Sequence, residues 1–174
     1  MISRQEAIEL FETQDLLDVA MEADAVRKRL HPEGIVTYFI DDERNALPDN
    51  VARVTFRTGD TIEQHVDRLQ TIREKQERDN AFTLLVPSFE ATAAEYLKAL
   101  AISRVYLESI AHVQTSCAMG LKLCQIALRF GADDIDNARA REQRAREEQL
   151  CCLIRDAGFI PKQRDAMFGM YFLR

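Results

Sequence analysis

Apolar positions recur with two different periods along this chain, and each change of period marks a predicted element. Apolar residues recur every three to four positions over residues 15–30, 62–72 and 93–107, which predicts amphipathic helices. Residues 34–40, 51–58, 81–89 and 112–117 are β-branched, aromatic or apolar runs that predict four strands. Pro87 predicts that the third strand ends, or lies at a sheet edge, at that point. Helices separate the later strands, so we predict an α/β fold with mostly parallel pairing.

Further helices are predicted towards both ends of the chain. Ser3 and Glu6 form a capping box before a short first helix, and Thr92 and Glu95 form another before the helix over residues 93–107. Residues 119–130, 138–157 and a short amphipathic segment from residue 161 are also predicted to be helical, and the apolar-free tail at 73–80 is predicted to be solvated. The predicted single domain comprises N-terminal helices (1–33), a strand-containing centre (34–134) and C-terminal helices (135–174).

Composition and charge argue against several functional classes. The 174 residues are 47% hydrophobic and 30% charged, with a net charge of -6, so a nucleic-acid or anionic-membrane surface is not predicted. The arginines between residues 139 and 146 alternate with glutamates, which is typical of a solvated helix face. No apolar run reaches the ~18 residues of a membrane span, and the first residues lack a signal-peptide core. We therefore predict a cytoplasmic protein.

The cysteines and the common site motifs do not predict a cofactor. The chain has four cysteines, and their spacing matches no zinc or iron–sulfur pattern: Cys117, Cys124, Cys151 and Cys152. We predict them to be reduced core or boundary residues. Glycine-rich nucleotide loops, nucleophile elbows and paired-histidine zinc motifs are absent. No cofactor, metal site or catalytic residue is therefore predicted.

Four collinear stretches resemble one enzyme family. They are RKRLHPEGIVTYFID (27–41), FTLLVPSF (82–89), EYLKALAISRVYLESIAHVQTSCAMGLKLCQIALRFGADD (95–134) and LIRDAGFIPKQRDAMF (153–168). Together they resemble the dehypoxanthine futalosine cyclase family. Its members are radical S-adenosylmethionine enzymes of the futalosine route to menaquinone, and aminofutalosine and deazaflavin-cofactor synthases are their relatives. The resemblance implies a TIM-type barrel.

The chain departs from that family at the part that carries the chemistry. In the family, the segment after Asp41 runs into a loop whose three cysteines hold a 4Fe–4S cluster, whereas here DDERNALPDN follows. No cysteine precedes Cys117, and roughly half the barrel is missing. We therefore expect a helix-rich half barrel of about four mostly parallel strands, flanked by N- and C-terminal helices and without radical chemistry.

The resemblance also proposes ligand-binding residues. Residues 131–134 resemble a family loop at the barrel mouth, where Asp133 and Asp134 are candidates for binding ribose hydroxyls or a cation. The alternative is a helix-ending glycine followed by a polar turn. The candidate set from this loop and from the first and fourth strands is Tyr38, Asp41, His112, Gln114, Ser116, Asp133 and Asp134.

Each of the other candidates has its own basis. His112, Gln114 and Ser116 lie on one side of the fourth strand, which in the family lines the substrate cavity; His112 alternatively begins the strand and bonds a neighbouring carbonyl. Tyr38 and Asp41 lie near the carboxyl end of the first strand, where parallel sheets bind ligands. The remaining histidines, His31 and His65, are predicted to be structural or solvated.

Half a barrel leaves two sheet edges and one face open. A homodimer is the predicted way to cover them, and the alternative is that terminal helices fold over the open face. The predicted function is that of a degenerate paralogue that binds a nucleoside-like small molecule or a protein partner. Two alternatives remain open: an enzyme of another class that uses His112 with Asp133 or Asp134 for metal-free acid–base chemistry, and a folded remnant without activity.

Overall fold

The computed structural model describes residues 2–13, 15–40, 50–57, 59–90, 92–136 and 147–165. Within these ranges the helices are α1 (Arg4–Thr13), α2 (Leu16–Leu30), α3 (Ile62–Asp79), α4 (Ala93–Tyr106), α5 (Leu121–Ala127) and α6 (Glu147–Asp156). The strands are β1 (Ile35–Phe39), β2 (Val51–Arg57), β3 (Leu84–Glu90), β4 (His112–Ser116), β5 (Asp134–Asp136) and β6 (Ile160–Gln163). No helix in these ranges is long and apolar enough to cross a bilayer.

All the strands join in one parallel sheet, in the order β2-β3-β4-β5-β1-β6. In a closed eight-stranded barrel the first strand pairs with both the second and the last. Here β1 keeps β5 as a neighbour but does not pair with β2. The sheet is therefore open between the first two strands, which is where the sequence predicts the missing half, and the predicted partial barrel is confirmed.

The described sheet has six strands instead of the four predicted, and β6 replaces a predicted helix. Ile160–Gln163 pairs with β1 in parallel, with the Ile160 amide donating to the Gly34 carbonyl at 2.9 Å and the Arg164 amide to the Tyr38 carbonyl at 3.1 Å. The backbone groups along this edge of β1 would otherwise be unpaired, which is the physical reason for a strand here. The rest of that predicted helix, residues 166–174, lies outside the described residues.

Two other predicted helices have different bounds in the structure. The helix predicted at 138–157 is described only as α6, since residues 137–146 lie outside the described residues. The helix predicted at 119–130 is divided into a 3-10 turn (Cys117–Met119), α5 and a second 3-10 turn (Leu128–Phe130). Gly120, at φ 108°, separates the first turn from α5, because a residue with this backbone angle cannot continue a right-handed helix.

Pro87 limits one sheet ladder and leaves the other intact. The strand continues through Pro87 to Glu90, paired with β2 along its whole length. Pairing of β3 with β4, however, covers only Leu84 and Leu85. Proline has no amide hydrogen to donate to a neighbouring strand. Beyond Leu85, therefore, β3 pairs with β2 alone.

The predicted capping boxes are present, whereas the tail of α3 is less solvated than predicted. Thr92 and Glu95 cap α4 reciprocally, and Ser3 and Glu6 exchange the same two hydrogen bonds. In the α3 tail, Arg73 is buried because its guanidinium donates to the Tyr106 carbonyl at 2.6 Å. A long polar side chain can thus be buried when its head group reaches a backbone acceptor.

His65 lies in the core and not on a solvated helix face, which is the structural one of the two roles predicted for it. It is fully buried between the rings of Phe11 and Phe56, with edge-to-face centroid distances of 5.4 and 5.1 Å. Burial, with a smaller effect of the Arg68 charge, lowers the pKa of His65 to about 4. The folded protein therefore holds this imidazole neutral under conditions in which an unfolded chain would protonate it.

This burial predicts an acid-sensitive stability. Between pH 6.5 and about 4 the unfolded state binds a proton at His65 that the folded state does not, so stability falls as the pH is lowered through this window. We expect the free energy of unfolding to be about 2 kcal/mol lower at pH 5 than at pH 7.5 through this group alone. Urea unfolding of the wild type and of His65→Leu across this range measures the effect. An equally steep pH dependence in the variant would show that another group is responsible.

Candidate functional site

The two faces of the sheet differ in chemistry. Residues directly opposite each other on paired strands lie on the same face of the sheet, and side chains alternate between the two faces along each strand. The strand registers therefore assign each strand residue to one face. One face packs against helices: Thr115 bonds Tyr96 of α4 at 2.8 Å, and Tyr38 bonds Glu147 of α6 at 2.7 Å. The opposite face, here called the inner face, comprises Ile35, Thr37, Phe39, Val51, Arg53, Thr55, Arg57, Leu84, Val86, Ser88, Glu90, His112, Gln114, Ser116, Asp134, Asp136, Ile160 and Lys162.

Asp134 is the centre of a buried polar network on the inner face. Its two oxygens accept hydrogen bonds from the guanidinium of Arg164 at 2.5 and 2.7 Å, from Thr37 at 2.6 Å and from Gln114 at 2.7 Å. All four side chains are buried. The predicted residues Gln114 and Asp134 thus lie together. The hydrogen bond between them and those from Arg164 to Asp134 give both side chains a structural role in the sheet. Their role in ligand binding stays a prediction.

Asp133 belongs to a different network, at the amino ends of the strands. One of its carboxylate oxygens accepts from the guanidinium of Arg104 and from the Val113 amide at 2.8 Å. The other lies 2.5 Å from Nδ1 of His112 and 3.2 Å from Nε2 of His31. Burial alone would raise the pKa of Asp133, but the charge of Arg104 and the hydrogen bond from His112 outweigh it and hold this pKa below its usual value.

The structure therefore separates the acidic pair that the sequence places side by side. Adjacent residues entering a strand direct their side chains differently, so each aspartate meets its own arginine. Arg104 is fully buried and also donates to the Gly131 carbonyl at 2.8 Å, which fixes the loop before β5. Sequence reasoning missed both arginines. The available signal was a single charged residue within the otherwise apolar end of α4, LAISRVYL.

His31 is not a simple helix-ending residue. Its ring stacks on that of His112 with centroids 4.9 Å apart, and Nε2 lies 2.8 Å from the Ala111 carbonyl oxygen. The predicted pairing of His112 with an acid is present geometrically, in the contact with Asp133. This contact lies at the amino ends of the strands, whereas parallel α/β barrels place their chemistry at the carboxyl ends.

The other candidates occupy three separate locations. Tyr38 faces the helices, and burial together with its hydrogen bond to Glu147 raises the pKa of its hydroxyl. Ser116 ends β4 on the inner face, partly exposed, and its hydroxyl accepts from the Ala118 amide at 3.2 Å. Asp41 lies outside the described residues. Of these three, only Ser116 is placed by the structure on the inner face.

The cysteines do not provide an iron–sulfur site. The buried sulfurs of Cys117 and Cys124 are 3.6 Å apart, Cys151 contacts the Tyr38 hydroxyl from the helical side, and Cys152 is exposed. Among the described residues, the donor groups that converge closely enough for a metal ion are His31, His112 and Asp133, without a cysteine. A 4Fe–4S cluster requires thiolate ligands, and these residues do not fit it.

A cleft of about 590 Å³ on the helical side is a less convincing site. It lies between α2 and α4, where Ala25, Leu30 and Val105 provide its apolar walls and Arg29 pairs with Glu108. None of the predicted site residues that the structure describes lines it. Two of its three charged side chains, Arg29 and Glu108, are engaged with each other, so it presents few groups that could orient a ligand.

Comparison with known proteins identifies the family of this chain. The sequence model of the CofH/MqnC C-terminal region matches residues 55–172. The chain belongs to this family. The match covers the described sheet from Thr55 of β2 to β6, while β1, which lies between β5 and β6, comes from outside it.

Individual relatives agree with the family assignment. A cyclic dehypoxanthine futalosine synthase of Streptomyces coelicolor is 30% identical over 138 residues, which cover 67% of this chain and 35% of that protein. A 5-amino-6-(D-ribitylamino)uracil–L-tyrosine 4-hydroxyphenyl transferase of Methanosarcina mazei is 28% identical over 181 residues, which cover 84% of this chain and 47% of that protein. An aminodeoxyfutalosine synthase of S. coelicolor is 28% identical over 138 residues, which cover 59% of this chain and 36% of that protein.

These matches confirm the resemblance predicted from the four sequence stretches. The chain is homologous to the C-terminal region of the futalosine-type radical S-adenosylmethionine enzymes. It spans between about a third and a half of the length of the curated relatives described above.

Proposed function

We propose that this chain is a non-radical binding protein derived from radical S-adenosylmethionine enzymes, and that its inner face holds a small molecule. The observation that carries the proposal is the asymmetry of the sheet. One face is packed against helices, whereas the inner face presents hydroxyl and charged groups such as Thr55, Ser88, Ser116 and Lys162. A sheet face with these groups binds polar ligands through convergent hydrogen bonds.

The names of the relatives suggest the ligand class. They are named for cyclic dehypoxanthine futalosine, aminodeoxyfutalosine and 5-amino-6-(D-ribitylamino)uracil. The last of these joins a nitrogen heterocycle to a five-carbon polyol, whereas the name dehypoxanthine marks a compound that has lost its base. Hydroxyl side chains and cations match the hydroxyls and carbonyls of such molecules. We therefore propose a heterocycle–polyol compound as the ligand, bound towards the carboxyl ends of the strands.

The absence of radical chemistry is part of the same proposal. Its support is the distribution of the cysteines, none of which precedes Cys117 in the sequence. Cys117 and Cys124 form a buried pair, and Cys151 and Cys152 are neighbours on α6. Reductive cleavage of S-adenosylmethionine needs a cluster iron held by three thiolates.

The proposal includes a homodimer. The outer edges of β2 and β6 lack a neighbouring strand within the described residues, and the inner face is only partly covered there, with Arg53 and Ser88 exposed. A second copy of the chain could cover both, since a two-fold interface places the same surface on each partner. Arg53 and Arg57 on β2 would limit uncontrolled edge pairing.

A ligand panel tests the proposed function. We expect a futalosine-type nucleoside or 5-amino-6-(D-ribitylamino)uracil to raise the Tm by roughly 5–10 °C at a concentration of 100 Kd. Ser116→Ala and Lys162→Ala should reduce this shift. Ser109→Ala, in the exposed turn before β4, and Lys122→Ala on α5 are the matched controls.

Two further results would contradict parts of the proposal. Anaerobic reconstitution that yields a stable 4Fe–4S cluster and cleaves S-adenosylmethionine would overturn the non-radical role. A monomeric mass in light scattering at micromolar concentration would overturn the homodimer. If no member of the panel shifts the Tm, the proposed ligand class is wrong.

A further inference from the structure

We propose that His31, His112 and Asp133 form a binding site for a divalent transition metal ion, with zinc as the expected ion. The three residues come from the ends of three connections, just before β1, at the start of β4 and just before β5. Each offers one ligand atom, and these atoms lie within 4.8 Å of one another. Two imidazoles with one carboxylate are a donor set that zinc prefers, with a fourth position left for water.

The distances are close to those of a tetrahedral site. Zinc bonds of about 2.0–2.1 Å place neighbouring ligand atoms about 3.3 Å apart. Nε2 of His31 is already 3.2 Å from Oδ2 of Asp133, whereas Nδ1 of His112 is 2.5 Å from the same oxygen. Metal entry thus requires the second distance to open by about 0.8 Å. The side chains of His31 and His112 are 14% and 15% exposed, so the ion has a route from solvent.

The surroundings hold the ligands in place. The oxygen of Asp133 that does not face the histidines is held by Arg104 and by the Val113 amide, which fixes the orientation of the carboxylate. Oε1 of Glu33 lies 3.8 Å from Nδ1 of His31, so a carboxylate is near the ring nitrogen that faces away from Asp133 but is not hydrogen-bonded to it. When Nε2 turns to a metal, the Ala111 carbonyl keeps its hydrogen bond from Arg104 at 3.1 Å.

Metal binding here would be distinct from ligand binding towards the carboxyl ends of the strands. The site lies at the amino ends of β1, β4 and β5, the end of a barrel that serves stability more than chemistry. Its ligands join segments that are far apart in the chain, so an ion bound by all three would stabilise the folded state over the unfolded one. The expected role is structural.

Metal titration of the chelator-treated full chain tests the site without any nucleoside. We expect zinc to bind at one ion per chain and to raise the Tm. We expect cobalt to bind at the same site and to give the visible absorption of a tetrahedral ion. His31→Gln and His112→Gln should each weaken zinc binding by at least about tenfold and remove the cobalt spectrum. Cys152→Ser removes the exposed thiol and should bind zinc as the wild type does.

The histidine variants keep the test decisive even if Asp133→Asn fails to fold beside the buried Arg104. The inference is overturned if zinc binding is weaker than millimolar, if both histidine variants bind as tightly as the wild type, or if Cys152→Ser abolishes binding. Because the readout involves no nucleoside, failure of the proposed ligand class on the inner face leaves this result unaffected.

Discussion

Asp134→Asn should lower the free energy of unfolding by about 3–5 kcal/mol, one of the two largest effects expected in this protein. The substitution removes the charge that compensates Arg164 while both side chains are completely buried. The guanidinium would then be left without a counter-charge inside the sheet, and desolvation makes this state costly. Thr37 and Gln114, which also donate to Asp134, would each face an amide in place of a carboxylate.

Two comparisons separate this effect from a general loss of charge. Asp67→Asn breaks an ion pair at the surface, in which the side chain of Asp67 is 58% exposed and that of Arg4 is 43% exposed. This substitution should change the free energy of unfolding by less than about 1 kcal/mol. Adding Arg164→Met to Asp134→Asn should recover part of the loss, since removing both charges costs less than leaving one buried. Urea unfolding of the wild type, of these three variants and of Arg164→Met alone measures the effects, and the last variant completes the double-mutant cycle. Strictly additive effects, or a cost below 1 kcal/mol for Asp134→Asn, would contradict the network described above.

Gly131→Ala should destabilise the protein by roughly 3–4 kcal/mol through two combined effects. The residue has φ 94°, a conformation that an alanine adopts only with strain. A Cβ atom there would also lie 2.9 Å from Cγ of Arg104 and 3.0 Å from Cβ of Ala23. Arg104 cannot move away easily, because its buried guanidinium holds the Gly131 carbonyl and Asp133.

Gly59 is the matched control for the backbone part of this effect. It has nearly the same φ, 93°, but nothing lies within 4 Å of an added Cβ. Gly59→Ala should therefore cost only the backbone term of about 1–2 kcal/mol. The difference in Tm between the two variants measures the clash with Arg104. Equal losses would mean that the loop before β5 can shift away from α4 without cost.

Local features of the fold were predictable because their causes lie within a few residues. Thr92 and Glu95 cap α4 by bonding to backbone groups three positions apart, and the proline and glycine after His31 end α2 whatever the rest of the chain does. The strand pattern of β1 and β4 likewise reflects burial on both sides of a sheet. These elements were predicted to within one or two residues.

Elements that depend on a distant neighbour were not predictable in this way. The segment Ile160–Gln163 has a composition compatible with a helix, and it becomes a strand because the edge of β1 is available to it. His65 has charged neighbours in the sequence, yet α3 turns it towards Phe11 and Phe56. In both cases the environment that decides the outcome comes from residues far away in the chain.

The candidate site divides along the same line. The sequence by itself determined the family, the half-barrel architecture, the lack of a cysteine motif and the polar character of β4, because all of these are carried by residue types and their order. Only the tertiary structure decided that Asp133 and Asp134 meet different arginines, and that His31 stacks on His112 from 81 positions away. Charge partners and converging ligands depend on which segments the sheet brings together, and spacing along the chain carries no record of that.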